Sequence, residues 1–283
     1  MRRFLLILLI IAPFSAHATP PEAAPARVVS LKPSITDVVV ALGARDKLVG
    51  VTRYCSGAKG VAIAGDYTQP YIERIVALDP DMVLGSEENS SRRSVEQLKR
   101  MGIRVKLFPF TTIGETLSSI RLIGEAIGKG AEGDELSRKT ARAFEELKKK
   151  WKGADPVSTV VVWGTRPLVV AGPGTYMDEL LRLIGARNPI KGTSIKYPHV
   201  GLEELIAMDP DAIVDLSMGS EASTDDAAVP GSAGEKPGRR PWDGVSSIRA
   251  VREGRVISLD ASLFRAGPNL PEGLAKLGEM LHR

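Results

Sequence analysis

One cysteine, three histidines and a low share of aromatic residues are all that this chain of 283 residues offers to the commonest kinds of site chemistry. Cys55 has no second cysteine to pair with, so no intramolecular disulfide holds the fold. Outside the first eighteen residues the histidines are His199 and His282, and His282 falls in a last turn expected to fray. A tight metal centre built from several histidines is therefore excluded, and no cluster of carboxylates replaces it. A nucleophile–base set is poorly supplied as well. Cys55 and His199 are one conceivable pair, but spacing indicates no third group to orient them. An excess of one charge is also missing. Arg2 and Arg3 lie in the leader, and the remaining basic residues nearly balance 34 acidic ones, which gives no argument for nucleic acid or an anionic membrane.

Two further absences concern motifs. Gly172-Pro173-Gly174 lies between an apolar strand and a helix, but the third glycine of a dinucleotide fingerprint and its acidic partner are lacking. The apolar run FLLILLIIAPF behind Arg2 and Arg3 is too short to span a bilayer comfortably and ends at Ala16-His17-Ala18. This charge–apolar–small order is that of a cleavable secretory leader. Residues 1–18 are therefore expected to be removed, leaving a protein that is free in a bacterial periplasm. Cys55 lies too far from the leader to carry a lipid anchor.

What the chain does contain is a repeated phrase. YIERIVALDPDMVL at 71–84 returns as GLEELIAMDPDAIV at 201–214. In each copy apolar residues at helical spacing run up to a proline, and a short apolar strand follows. The likeness extends upstream. Gly43-Ala44-Arg45 ends the helical pattern SITDVVVAL, and Gly185-Ala186-Arg187 ends YMDELLRLI. Each helix follows a strand and a tight loop: VVSL with Lys32-Pro33-Ser34, and LVVA with Gly172-Pro173-Gly174. Strand, loop, helix, variable loop, helix, strand, written twice, predicts an α/β protein of two Rossmann-like lobes, each a parallel sheet flanked by helices. Between them GDELSRKTARAFEELKKKWKG (133–153) is polar, rich in helix formers and free of proline. It predicts one long rigid helix joining the lobes. The expected organisation is 27–128 for the N-terminal lobe, 129–153 for the linking helix and 154–283 for the C-terminal lobe. Within the last, 217–241 has the composition of a flexible loop.

Ligands of open α/β sheets sit at the carboxyl ends of the strands. Tyr54 follows the strand KLVGVT, Tyr67 precedes the helix of the first phrase, and Tyr197 precedes that of the second. Aromatic faces with polar tips suit a large, partly apolar ligand held between two lobes. His199 is expected at the rim of that cleft.

The quoted residues resemble a known family. RVVSLKPSITDVVVALGARDKLVGVTRYC followed by GDYTQPYIERIVALDPDMVL is similar to the first lobe of class III periplasmic substrate-binding proteins, the receptors of ABC importers for cobalamin, ferric siderophores and haem. GTYMDELLRLIGARN, YPHVGLEELIAMDPDAIV and PWDGVSSIRAVREGRVISLD extend the likeness across the second lobe. The resemblance implies a monomeric carrier, not an enzyme, that hands a small molecule to a membrane permease with its cytoplasmic ATPase and binds no nucleic acid. It implies that Glu73 and Glu203 dock onto arginines of that permease; a carboxylate in a first helical turn is also favoured by the helix dipole. The loop TRYC followed by GDYTQPYIE is most similar to cobalamin-binding members, where Tyr54, Tyr67 and Tyr197 match aromatic positions at the ligand. Lys32, Pro33 and Ser34 then face the cleft. Lys32 replaces a small residue usual there and, with Arg53 and Arg166, suits an anionic group. The implied ligand is a corrinoid, with a ferric chelate second and haem third; Tyr67 or His199 would supply an axial ligand to haem. No resident cofactor or metal is expected. An enzyme or a sensor on the same fold is the reading from another class.

Overall fold

The computed structural model describes residues 24–66, 69–88, 90–217 and 240–283. The leader at 1–18, Tyr67 and most of the loop expected at 217–241 lie outside the described residues. Two parallel-dominated sheets flanked by helices make up the rest.

The first half contributes β1 (Val28–Ser30), α1 (Pro33–Ala41), β2 (Leu48–Thr52), β3 (Ala62–Gly65), α2 (Ile72–Ala77), β4 (Met82–Ser86), α3 (Arg92–Arg100), β5 (Arg104–Phe108) and α4 (Ile113–Ala126). Its sheet has the order β3-β2-β1-β4-β5, and every pairing is parallel. After α5 (Gly130–Lys150), the second half adds β6 (Val157–Thr165), β7 (Leu168–Val170), α6 (Tyr176–Leu183), β8 (Ala186–Arg187), α7 (Leu202–Met208), β9 (Ala212–Asp215), α8 (Arg249–Arg252), β10 (Val256–Ser258) and α9 (Leu270–Leu281). The order here is β10-β9-β6-β7, with β8 on the start of β6. No described helix is long and apolar enough to cross a membrane.

The second sheet departs from the all-parallel expectation at one strand. β7 runs antiparallel to β6. Only Arg166 and Pro167 separate the two strands, and a parallel crossover needs a dozen residues or more. The inner strands β4, β6 and β9 are buried almost throughout, covered on both faces, which is why they read largely as apolar runs without alternation.

The repeated phrase owes its form to the same local structure in both lobes. Asp79 and Asp209, at the ends of α2 and α7, have left-handed backbones with φ of 42° and 37°. A short polar side chain tolerates that region better than most, and the prolines at 80 and 210 prevent the helix from continuing. The next aspartate of each copy fastens a neighbouring strand. Asp81 Oδ2 accepts the backbone N–H groups of Ala26 and Arg27, each at 2.8 Å, just before β1. Asp211 Oδ2 accepts the N–H of Ser158 at 2.9 Å, at the start of β6. The Asp-Pro-Asp triplet is thus a helix stop followed by a strand anchor, built twice.

α5 buries Thr140, Phe144 and Leu147 along one stripe and leaves its charged face to solvent. It meets α4 through glycines: a Cβ placed on Gly124 would lie 2.8 Å from the Gly133 Cα, so the two backbones approach without side chains between them. At its far end Trp151 is buried against Gly278 of α9 and stacks on the His282 ring at 6.0 Å. His282 Nε2 lies 2.7 Å from the Ile184 carbonyl, so the last turn is held in place and does not fray. A single core cluster runs through both halves, from Ile120 and Phe144 to Trp163 and Leu274.

Candidate functional site

Because the first sheet is wholly parallel, the loops that follow its strands gather along one edge. Lys32, next after Leu31 and β1, takes an extended backbone and α1 begins at Pro33. Pro33 and Ser34 are buried in the first turn. The Lys32 side chain is 2 % exposed, with its ammonium 3.5 Å from Glu88 Oε2 and 4.7 Å above the Phe110 ring. Glu88 Oε1 in turn accepts the Phe110 backbone N–H at 2.8 Å. The cation is therefore answered within the lobe by a carboxylate and an aromatic face.

Following β2, Arg53 is exposed and donates to the Tyr71 hydroxyl at 2.7 Å. That hydrogen bond raises the guanidinium further above its ordinary value. Tyr54 is half-buried, and its carbonyl accepts Arg265 Nη2 at 3.4 Å. Arg265 comes from the other lobe; it also stands 3.7 Å from Asp37 of α1 and is itself 9 % exposed. A second tie between lobes runs from the Ile113 N–H at the head of α4 to Glu179 Oε2 on α6, at 3.1 Å. Cys55 is buried with its sulfur 3.1 Å from Thr36 Oγ1 and 3.2 Å from Thr52 Oγ1. Burial pushes the thiol pKa up, so it stays protonated and its partners are hydroxyls.

In the second lobe the chain from 196 to 200 lies along β7. Val170 N–H donates to Pro198 O at 3.1 Å, Val200 N–H to Leu168 O at 3.0 Å, and Gly172 N–H to Lys196 O at 2.7 Å. A Cβ on Gly172 would fall 2.5 Å from the Ile195 carbonyl oxygen. That close approach accounts for the glycine, without a phosphate. Tyr197 is half-buried against the core cluster common to both lobes, while His199 is exposed. Both line a cavity of about 800 Å³ with Ile190, Ile195, Pro198 and Met208. Arg166 is exposed in the turn between β6 and β7 and does not line that cavity. At the end of β9, Asp215 is fully buried, with Arg240 Nε 2.7 Å from one oxygen and Ser217 donating to the other.

The sequence-predicted residues thus fall into separate groups. Tyr197 and His199 share a cavity, Lys32 is enclosed by its own lobe, and Tyr54 lies at a contact between lobes. Glu88, Phe110 and Arg265 escaped the sequence reading. Each follows a strand of a sheet at its carboxyl end, and the strand-end rule points to charged residues there as readily as to tyrosines.

Glu73 and Glu203 occupy the second position of α2 and α7. Both are exposed, and neither side chain makes an ion pair or hydrogen bond with another described residue. Glu204 differs: its carboxylate turns back to accept the Gly201 N–H at 2.7 Å, the return half of a capping box whose N-cap is a glycine. Capping therefore accounts for Glu204 and leaves Glu203 without a structural task. In α2 no side chain caps the helix, and Glu73 is equally uncommitted.

Two α/β lobes joined by a long helix, with a Tyr–His loop at one lobe and a tied contact between the lobes, define a two-lobed binding protein. The chain belongs to the periplasmic binding protein family, whose sequence model matches residues 28–263. It is 32% identical over 269 residues to an uncharacterized ABC transporter substrate-binding lipoprotein, YvrC, of Bacillus subtilis, covering 91% of this chain and 80% of that one. It is 27% identical over 199 residues to a vitamin B12-binding protein of Yersinia pestis, covering 69% of this chain and 71% of the relative. Among solved structures, a periplasmic heme-binding protein from Pseudomonas aeruginosa superposes with a TM-score of 0.73 at 27% identity, covering 91% of this chain and 93% of the other.

Proposed function

We propose that this chain is the periplasmic receptor of an ABC importer, holding a corrinoid between its lobes and delivering it to a membrane permease. The observation that carries the delivery half is the pair of uncommitted glutamates, Glu73 and Glu203, at matched places of the repeated phrase in the two lobes. An exposed acid with no partner among the described residues is available to a base on another protein. The corrinoid is supported by the Tyr54–Tyr67–Tyr197 pattern and by likeness to a vitamin B12-binding protein. Haem is the second reading, favoured by the exposed imidazole of His199 at the second-lobe cavity and by the likeness to a heme-binding protein. An anionic chelate is less favoured, since Lys32 is already paired with Glu88.

Calorimetric titration of the full secreted protein with cyanocobalamin, haem and a ferric hydroxamate tests the ligand. Tight one-to-one corrinoid binding, weakened by Tyr197→Ala, is expected; haem binding that is lost in His199→Ala would replace it. Cellular uptake tests delivery. The double variant Glu73→Arg, Glu203→Arg is expected to abolish uptake with ligand affinity unchanged, and surviving uptake would sink the docking role.

A further inference from the structure

Among the described residues that line the second-lobe cavity of about 800 Å³, Lys191 and His199 are the basic ones, and both are exposed. Neither side chain makes an ion pair or hydrogen bond with another described residue. The carboxylate in the lining, Glu204, is already turned onto the Gly201 N–H. What charge the cavity has to spare is therefore positive. Its walls are apolar, with Ile190, Ile195, Pro198 and Met208. Ile195 is 61 % exposed, the most open large apolar side chain among the described residues. An apolar wall left in water beside spare positive charge suits an amphipathic anion. The position of the cavity connects it with the ligand cleft. His199 bridges Val169, and the Val200 N–H donates to the Leu168 carbonyl, where β7 begins beside the end of β6. The cavity thus reaches from the carboxyl edge of the sheet along α7 to Met208. The groove along α2 in the first lobe offers no equivalent. There Arg53 donates to the Tyr71 hydroxyl and Arg74 lies 5.3 Å over the same ring, so both bases are engaged within the lobe.

Resting on the corrinoid reading proposed above, we infer that this recess receives the nucleotide tail of the corrinoid. The rim of a corrin macrocycle bears neutral amides. The anionic substituent of the complete molecule is the phosphodiester of its tail, which ends in a flat aromatic base. Lys191 meets the phosphodiester as a point charge, and His199 adds a ring N–H. The base lies against Tyr197 and the apolar wall of Ile195, Pro198 and Met208. The macrocycle stays between the lobes, and the recess reads whether the tail is present. Lys191 is therefore a specificity-determining residue, separating complete from tail-less corrinoids by a contact that the tail-less ones cannot make.

The test is calorimetric titration of the full chain with cyanocobalamin and with dicyanocobinamide, the same macrocycle without phosphodiester and base. The parent is expected to bind cyanocobalamin more tightly by about tenfold or more. Lys191→Glu, which sets a carboxylate against the phosphodiester, is expected to bring the two affinities within about threefold by weakening cyanocobalamin. Lys196→Glu is the control: Lys196 is exposed on the same loop but outside the cavity lining, and its variant is expected to keep the preference. Equal affinities in the parent, or a preference that Lys191→Glu leaves intact, would overturn the tail site while cyanocobalamin binding upholds the corrinoid reading. A preference that Lys196→Glu removes as fully would also overturn it, since the general field of the lobe would then be the cause. So would tight haem binding that falls in Lys191→Glu, which would give the recess to a propionate. Binding of neither corrinoid removes the corrinoid reading and the tail site together.

Discussion

The two copies of the repeated phrase share a backbone and differ at the residue after the uncommitted glutamate. In the first lobe that residue is Arg74, laid over Tyr71; in the second it is Glu204, turned back to accept the Gly201 N–H. Where the copies agree, the agreement has a local mechanical reason: left-handed Asp79 and Asp209, the prolines behind them, and Asp81 and Asp211 fastening a strand. Where they differ in charge, the difference falls on the surface; at buried positions such as Ile75 and Leu205 or Val83 and Ile213 one apolar residue replaces another. The lesson is that the repeat preserves its frame under one set of constraints and varies its outward chemistry under another.

The largest effects are expected in the core. Ile75 and Leu205, matched in the two helices, are both fully buried. Truncating either to alanine is expected to destabilise by about 2–5 kcal/mol, read from urea denaturation. A cost well below that at only one site would mean that the two frames are not mechanically equivalent.

The strand anchors give a pH-dependent effect. The N–H groups of Arg27 and then Ala26 hold the Asp81 carboxyl below the usual carboxylate range. A folded pKa below the unfolded value means stability that is fully present above about pH 4 and is lost as pH falls through the folded value. Asp81→Asn should therefore melt below the parent at pH 7, with the gap closing toward pH 3 in thermal scans. A gap that persists in acid would assign the effect to packing instead of charge.

Smaller again is the capping difference. Glu204→Ala should cost about 1 kcal/mol through loss of the hydrogen bond that its carboxylate accepts from the Gly201 N–H. Arg74→Ala, at the matched exposed position, should stay within about 0.5 kcal/mol. Equal costs at the two positions would show that the cap is not what separates the copies.

The two lobes were legible in the sequence because each local signal is written twice: the helix period, the proline stop and the strand after it. The direction of β7 was not, since an apolar run has no polarity; only the two-residue gap between Thr165 and Leu168 carried it. The candidate site was legible in part. Tyr197 and His199 fall together because one short loop carries both, and Glu73 and Glu203 stand out as the shared acid of the phrase. Lys32 meeting Glu88, and Arg265 reaching Tyr54 and Asp37, are pairings across long stretches of chain that no periodicity records.

With Gly124 against Gly133 at one end of α5 and Trp151 wedged on Gly278 at the other, the helix is fused to both lobes. A frame held in this way at both ends surrenders, on the proposed reading, little entropy when a ligand enters. On the proposed reading, unloading is work done from outside, and the force for it has to enter through the docking face.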